Sequence, residues 1–434
     1  MSERLLRGPL LHCLGEPDKD PVAVDYHCDA LLWLKHGYVH KMGDYESLVK
    51  QLTPQQLTKV EDTSQYLMVP GFVDCHTHYP QTEMIGAYGT QLLEWLNTYT
   101  FPVESSFEDP VKAAAVAQVF IDQLLNNGTT TALVFCSVHV QSVDALFSEA
   151  QKNKMRLIAG KVMMDRNAPD HVLDTAATSY EQSKQLIQRW HGVDRLQYAV
   201  TPRFAPTSTA EQLLAAGRLL AEHEGVYLHT HLSENLDEIA WVKALFPEAK
   251  NYLDVYDQAG LLGKRSVFAH GIHLCDSECE RLAATASAIA HCPTSNLFIG
   301  SGLFPMQWLQ DYGIKIGMGT DVGGGTSFNM LQTLADSYKM QQLKGHNLSP
   351  EQSFYLATLG GARALDMETK IGNFETGKEA DFLLLDPNAT DLLKFRSRHC
   401  QGWRELIFVL QTLGDDRVIA QTNIMGQAIQ KGRG

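Results

Sequence analysis

Short apolar segments alternate with longer amphipathic ones from about residue 65 to residue 325. The short segments are rich in Val, Ile, Leu and Ala, and several are apolar at nearly every position, which is typical of strands that are covered on both faces. The longer segments, such as residues 106 to 128, carry apolar residues at helical spacing. The pattern predicts eight strands, at residues 66 to 78, 129 to 135, 156 to 164, 196 to 203, 226 to 232, 266 to 272, 287 to 293 and 314 to 321.

This alternation predicts an α/β fold, a closed (β/α)8 barrel of the TIM type that covers residues 66 to 367. An open doubly wound sheet is the alternative, but no G-x-G-x-x-G follows the first strand. Residues 1 to 65 and 368 to 434 contain short β-like runs. Because chain ends often lie close together, we expect these two segments to form one small composite β-sandwich domain.

The composition is that of an ordinary globular protein, with 44% apolar and 20% charged residues in 434. The formal net charge of −14 disfavours binding to nucleic acid or to anionic membrane surfaces. No apolar run reaches the roughly 18 residues that a membrane span needs, and charges and Pro interrupt the N-terminal stretch before a signal-peptide core develops. We therefore expect a cytoplasmic protein whose eight scattered cysteines are reduced.

Histidines and carboxylates stand at the C-terminal ends of four predicted strands, where barrel enzymes build their active sites. Burying such groups without a partner costs several kcal/mol, and a bound cation relieves that cost. Imidazole nitrogens and carboxylate oxygens suit Zn²⁺, and Fe²⁺ accepts a similar set. The pattern predicts metal-assisted hydrolysis, in which the ion lowers the pKa of a bound water toward about 7. The residues concerned are His76, His78, His229, His231, Glu234, His270 and Asp321.

These residues have different expected roles. His270 is either a fifth ligand or the hydrogen-bond partner that orients the attacking hydroxide. His229 belongs to the groups that orient the direct ligands. The expected direct ligands are His76, His78, His231 and Asp321.

The segments that carry these residues resemble the signature segments of the amidohydrolase superfamily, in the order PGFVDCHTH, HTHLSE, FAHG and GMGTD. Further stretches resemble the branch of that superfamily that deaminates guanine, among them HYPQTEMIGAYG, LLEWLNTYTFP, TPRFAPT and HCPTSNLFIGSG. The resemblance implies a barrel with a β module made from both termini, a homodimer, and hydrolysis of guanine to xanthine and ammonia. It also implies one zinc ion per subunit, because the fourth strand reads YAVTPRF and lacks the Lys that bridges two metals in other members.

The same resemblance implies roles for substrate-binding and catalytic residues. Gln81 corresponds to a ring-binding amide, Arg203 to a carbonyl-binding guanidinium, and Phe204 to an aromatic neighbour of the purine. Glu234 matches the proton-shuttling carboxylate of the family. As a hypothesis, hydroxide at the metal, having given a proton to Asp321, attacks C2 while Glu234 protonates the ring nitrogen and then the leaving amine.

Other interpretations remain open from the residues alone. For the three candidate substrate-binding residues, the alternatives are that Arg203 only pairs with a carboxylate on the barrel rim, that Phe204 is an ordinary core residue, and that Gln81 caps a loop. Trp95 lies in an apolar run at helical spacing, and we interpret it as packing. We interpret Gly323 to Gly325 as a close backbone approach beside the metal carboxylate. At the level of function, the alternatives are a related ring (8-oxoguanine, a thiopurine or a triazine) and a catalytically inactive barrel that serves as a scaffold.

Overall fold

The predicted parallel barrel is confirmed by the computed structural model, which describes residues 3–20, 22–89 and 91–429. Neighbouring barrel strands follow one another in chain order, and the short strand Val162–Met163 adds to the fourth. At the closure of the barrel, the N–H of Asp321 donates to the carbonyl oxygen of His76 at 2.9 Å. The first to eighth barrel strands are Phe72–His78, Thr129–Phe135, Arg156–Gly160, Leu196–Pro202, Tyr227–Leu232, Ser266–His270, Ala288–His291 and Lys315–Met318.

Helices cover the outside of the barrel and turn their apolar faces toward the strands. In Pro110–Asn126, the Asp109 side chain accepts the N–H of Val111, Pro110 opens the first turn, and Phe120 is among the residues that enter the core. The longer helices are Pro110–Asn126, Val140–Lys152, Ala176–Trp190, Ala210–Glu222, Leu236–Leu245, Tyr252–Gln258, Asp276–Ala284, Met330–Leu343, Pro350–Ala357 and Trp403–Leu413. The shorter ones are Tyr45–Leu48, Pro54–Leu57, Leu92–Trp95, Phe101–Ser105, Pro293–Phe298, Met306–Asp311, Leu359–Ala364 and Asp391–Ser397, with a π-helical turn at Leu96–Thr100.

The first predicted strand, residues 66 to 78, is divided at Gly71 into two strands with different partners. Leu67–Pro70 joins the sheet of the chain termini, whereas Phe72–His78 opens the barrel. A Cβ at Gly71 would lie 2.1 Å from the Oγ1 of Thr130, so the chain passes too close to the second strand for any side chain there. The apolar pattern runs through this crossing and does not reveal it.

The two chain ends pair as expected, but within the described residues their strands form one continuous eight-stranded sheet where a β-sandwich was predicted. Leu67–Pro70 lies between an N-terminal strand and Phe382–Leu385. Alternate residues of Phe382–Leu385 belong to different clusters: Leu383 and Leu385 join the main core, while Phe382 and Leu384 join a separate cluster on the other face. The strands of this sheet are Glu3–Cys13, Val24–Lys35, Tyr38–Asp44, Val60–Asp62, Leu67–Pro70, Phe382–Leu385, Ile419–Ile424 and Gln427–Ala428.

Buried ion pairs join this sheet to the N-terminal end of the barrel. The Arg195 guanidinium contacts the carboxylates of both Glu379 and Asp381, and Arg156 pairs with Glu379. The division into residues 1–65 with 368–434 and residues 66–367 stays a prediction. Within the described ranges, no helix combines the length and the apolar character that crossing a bilayer requires.

Candidate active site

The predicted metal ligands come together at the C-terminal ends of the strands. His76 and His78 share one face of the first strand because side chains alternate with a period of two. His231 lies in the fifth strand, and Asp321 follows the eighth. His231 is half-buried and the other three are buried. The strand ends therefore direct all four side chains to one point.

Four of the distances among their donor atoms are those expected around a small divalent metal ion. The Nε2 of His78 lies 3.2 Å from the Nε2 of His76 and 3.3 Å from that of His231. The Oδ1 of Asp321 lies 3.2 Å from the Nε2 of His76 and 3.3 Å from that of His78. Ligands at about 2.0–2.1 Å from a tetrahedral zinc ion are separated by roughly 3.3 Å. The donors present fit a divalent metal ion of this size.

Hydrogen bonds on the far side of two imidazoles set their orientation. The Nδ1 of His231 donates to the carbonyl oxygen of Arg203 at 2.7 Å, which leaves its Nε2 as a free donor atom for a metal. The Nδ1 of His76 lies 2.7 Å from the Nε2 of His229. His229 thus contacts the predicted ligand His76 on the side away from the other donor atoms.

His270 lies beside the four donors and is oriented by a residue of the short helix Pro293–Phe298, which follows the seventh strand. Its Nδ1 donates to the Oδ1 of Asn296 at 2.9 Å. Its Nε2 lies 3.4 Å from the Oε2 of Glu234 and 3.8 Å from the Oδ2 of Asp321. His270 therefore faces both carboxylates from a position slightly outside the tight donor set. The Oε1 of Glu234 also accepts a hydrogen bond from Ser301 at 2.9 Å.

Burial and mutual attraction set the charge states of these groups. Burial lowers the pKa of His78 to about 3 and that of His231 well below its ordinary value, which keeps both imidazoles neutral, as metal ligation requires. Burial alone would raise the pKa of Asp321, but the attraction and hydrogen bonds of His76 and His78 outweigh it and hold that pKa well below normal. Burial and the charge of Asp321 raise the pKa of Glu234 to about 8. Glu234 is suited to exchange protons near neutral pH.

A cavity opens in front of these groups. All three predicted substrate-binding residues, Gln81, Arg203 and Phe204, line it. The backbone of Gly323 approaches closely, as expected, because a Cβ there would lie 2.0 Å from the Oε1 of Gln81. Trp95 also lines the cavity, although its helical spacing led us to interpret it as packing.

Several polar contacts around the site lie outside the sequence prediction. The carboxylate of Glu104 is buried and pairs with Arg203, so Arg203 both contacts a carboxylate and lines the cavity. Asn296 and Ser301 hold His270 and Glu234. Both lie within the segment HCPTSNLFIGSG, whose resemblance to the superfamily was the one available signal for them.

Comparison with known proteins agrees with this geometry. The model of the amidohydrolase family matches residues 67–429. The chain belongs to the amidohydrolase family. A relative of this amidohydrolase, the guanine deaminase of Escherichia coli K12, is 54% identical over 416 residues, which cover 96% of this chain and 94% of the relative.

Two solved structures extend the comparison of this amidohydrolase. The E. coli guanine deaminase structure superposes with a TM-score of 0.96 at 52% identity and covers 99% of this chain and 100% of its own. The guanine deaminase of C. acetobutylicum, solved with bound guanine in the active site, has a TM-score of 0.89 at 28% identity and covers 99% and 100%. The resemblance to the superfamily in the sequence is thereby confirmed.

Proposed function

We propose that this amidohydrolase hydrolyses guanine to xanthine and ammonia. The observation that carries the proposal is the lining of the cavity: three of the four proposed metal donors and Glu234 line it together with Gln81, Arg203 and Phe204. Relatives that match nearly the whole chain are named guanine deaminases, and one structural relative holds guanine in its active site.

The proposed metal is one zinc ion per subunit, held by His76, His78, His231 and Asp321, with Fe²⁺ as the alternative. The donor spacing and the neutral imidazoles support this choice. When bound, the ion supplies a water of lowered pKa for attack on the ring carbon.

The chain's own carboxylates move the protons. The Oδ1 of Asp321 faces the imidazoles of His76 and His78, whereas its Oδ2 is on the side of His270 and serves to accept a proton from the attacking water. Glu234, protonated near neutral pH, donates to the ring nitrogen beside C2. It then takes a proton from the added water and passes it to the amine, so that ammonia leaves, and the proton held by Asp321 returns to Glu234 before the next turnover. His270 stands between the two carboxylates and holds the water by a hydrogen bond.

The remaining residues hold the ring. Arg203 donates to the ring carbonyl, and Gln81 bonds along the ring edge. The Phe204 ring supplies an apolar wall whose stacking contributes about 1 kcal/mol. These roles rest on the cavity lining and on the superfamily resemblance.

The test of the function is a spectrophotometric assay of guanine conversion to xanthine, with ammonia release and zinc content measured on the same preparation. A panel of 8-oxoguanine, a thiopurine and an aminotriazine accompanies guanine. Turnover of guanine with about one zinc per subunit supports the proposal. Turnover of another ring without guanine turnover contradicts it, and a folded preparation that binds no metal and turns over no ring favours the scaffold.

Two variants test the residue roles. Glu234→Gln keeps zinc and guanine binding but loses about 10²- to 10⁴-fold in kcat, because an amide does not transfer the proton. Glu224→Gln, an exposed site after the helix that precedes the fifth strand, is the matched control and keeps normal kcat. His78→Ala lowers the zinc content. A Glu234→Gln enzyme with near-normal kcat removes Glu234 from the proposed role.

We also propose that the protein is a cytoplasmic homodimer, as the resemblance implies. Light scattering at twice the subunit mass of 48.3 kDa supports the dimer, and a monomer mass contradicts it. Fractionation of the native cells tests the compartment.

A further inference from the structure

Glu104 is a buried carboxylate behind the wall of the cavity. It lies in the short helix Phe101–Ser105, in the long connection after the first barrel strand, and is 1% exposed. Its Oε1 accepts a hydrogen bond from the Nε2 of Gln81 at 3.1 Å, and its Oε2 accepts one from the Nη1 of Arg203 at 2.7 Å. One carboxylate therefore joins two residues that line the cavity.

The contact with Gln81 decides which end of that amide faces the ring. An amide group has nearly the same shape when its oxygen and nitrogen exchange places, so its neighbours determine its orientation. Glu104 only accepts hydrogen bonds, and it therefore holds the NH₂ group. The Oε1 of Gln81 is left on the side of Gly323, where the missing side chain leaves room for it. Gln81 thus presents an acceptor.

The contact with Arg203 balances a buried charge. The guanidinium has five N–H donors, and Glu104 takes one of them, which leaves others for a ring carbonyl. The ring of Phe101 lies 5.5 Å from the Cζ of Arg203 on another side. Because the carboxylate neutralises the guanidinium, the pair suits a neutral ring better than an anionic one.

We propose that Glu104 is a positioning residue that sets the hydrogen-bonding pattern of the ring pocket. Through Gln81 it fixes an acceptor, and through Arg203 it fixes a donor beside that acceptor. The complementary ligand is a ring edge that carries a carbonyl next to an N–H, as in the lactam of guanine. This assignment rests on the proposed function, and it names the feature by which the site selects its ring.

The test compares guanine with 2,6-diaminopurine, which has the same C2 amine. In place of the carbonyl and the N–H of the guanine lactam, 2,6-diaminopurine carries an amine and an unprotonated ring nitrogen. In Glu104→Gln, the new amide keeps its oxygen toward Arg203 and turns its NH₂ toward Gln81. Gln81 then reverses and presents a donor. The expected result is a rise in KM for guanine of about 10- to 100-fold and a loss of selectivity over 2,6-diaminopurine of at least about tenfold.

Controls separate positioning from a structural role. Glu108→Gln, an exposed site four residues further along, leaves selectivity unchanged. Glu104→Asp keeps a carboxylate acceptor and is expected to retain part of the selectivity. This variant is the one tested if Glu104→Gln does not fold. In a Gln81→Ala background, Glu104→Gln changes selectivity by less than about threefold, because coupled residues are not additive.

The outcomes distinguish this inference from the proposed function. A folded wild type that neither binds nor turns over guanine overturns the function and the lactam assignment together. An active wild type with unchanged selectivity in Glu104→Gln overturns only the role of Glu104. Equal losses for both rings, or additive effects with Gln81→Ala, likewise assign Glu104 to structure alone.

Discussion

The hydroxyl of Tyr256 hydrogen-bonds both to the fifth barrel strand and to the segment after the fourth, and its removal is expected to disturb both. It donates to the carbonyl oxygen of His231 at 2.8 Å and accepts the N–H of Ala205 at 2.9 Å. His231 is a proposed ligand, and Ala205 follows Phe204 in the cavity wall. Tyr256 is fully buried, so no water replaces the lost hydroxyl.

The cost of Tyr256→Phe follows from these bonds. The ring stays in place and the buried apolar area hardly changes. Two backbone hydrogen bonds are lost at about 1 kcal/mol each, together with a longer one from the Thr230 hydroxyl at 3.3 Å. Because two backbone groups stay buried without a partner, the loss is about 2–4 kcal/mol. Because misplacement by about 1 Å costs up to 10²-fold, we expect kcat/KM to fall by about 10- to 100-fold.

Tyr227→Phe is the matched control for this change. Tyr227 is the first residue of the fifth strand, at the end away from His231. Its buried hydroxyl donates to the carbonyl oxygen of Leu365 at 2.6 Å. We expect it to lose about 1–2 kcal/mol and to keep its kcat/KM within about twofold. Urea unfolding at fixed zinc concentration and steady-state kinetics measure both variants. Equal kcat/KM in the two variants refutes the argument that the Tyr256 hydroxyl positions the site.

Three further changes test other parts of the structure. Gly323→Ala places a Cβ 2.0 Å from the Oε1 of Gln81, at a φ of +116°, and is expected to raise the KM for guanine at least about tenfold in steady-state assays. Removing the metal with a chelator is expected to abolish turnover and lower the melting temperature, with recovery of both on adding zinc. Burial lowers the pKa of His27, but hydrogen bonds to Asp44 and Asp25 outweigh it, so the net pKa is raised. The charged His27 imidazole therefore contributes fully to the free energy of unfolding below its pKa in the unfolded chain, and this contribution is lost as the pH rises through its pKa in the folded protein. We expect His27→Gln to lower the urea midpoint at pH 5.5 and to leave it unchanged at pH 9.

The barrel was predictable because its strands are buried on both faces. Thr129–Phe135 is buried at every position, and its boundaries agree with the sequence pattern. The convergence of the candidate ligands was predictable for a related reason: a period of two places His76 and His78 on one face, and barrel sites lie at the C-terminal ends of strands. These inferences use only local spacing and a rule for the whole fold.

The roles of Glu104 and Trp95 at the cavity could not be predicted from the sequence. The partners of Glu104 lie 23 and 99 residues away in the chain, at Gln81 and Arg203, and no local pattern reports a bond across that distance. Trp95 is 2% exposed and packs in an apolar cluster while it also lines the cavity. Helical spacing indicates that such a residue is buried, but it does not distinguish a core position from a position in a cavity wall.

Three residues at the site have backbone conformations that the sequence pattern does not predict. Ser233, His270 and Asp321 have φ values of 48°, 72° and 49°, in the left-handed region that non-glycine residues rarely adopt. Each such residue costs on the order of 1–3 kcal/mol and persists only where its surroundings determine it. The bond from the Asp321 N–H to His76 and the bond from His270 to Asn296 are part of those surroundings. The donor geometry thus depends on contacts from neighbouring strands and helices that hold strained residues in place. An accurate site therefore requires the packed barrel as well as the candidate ligand residues.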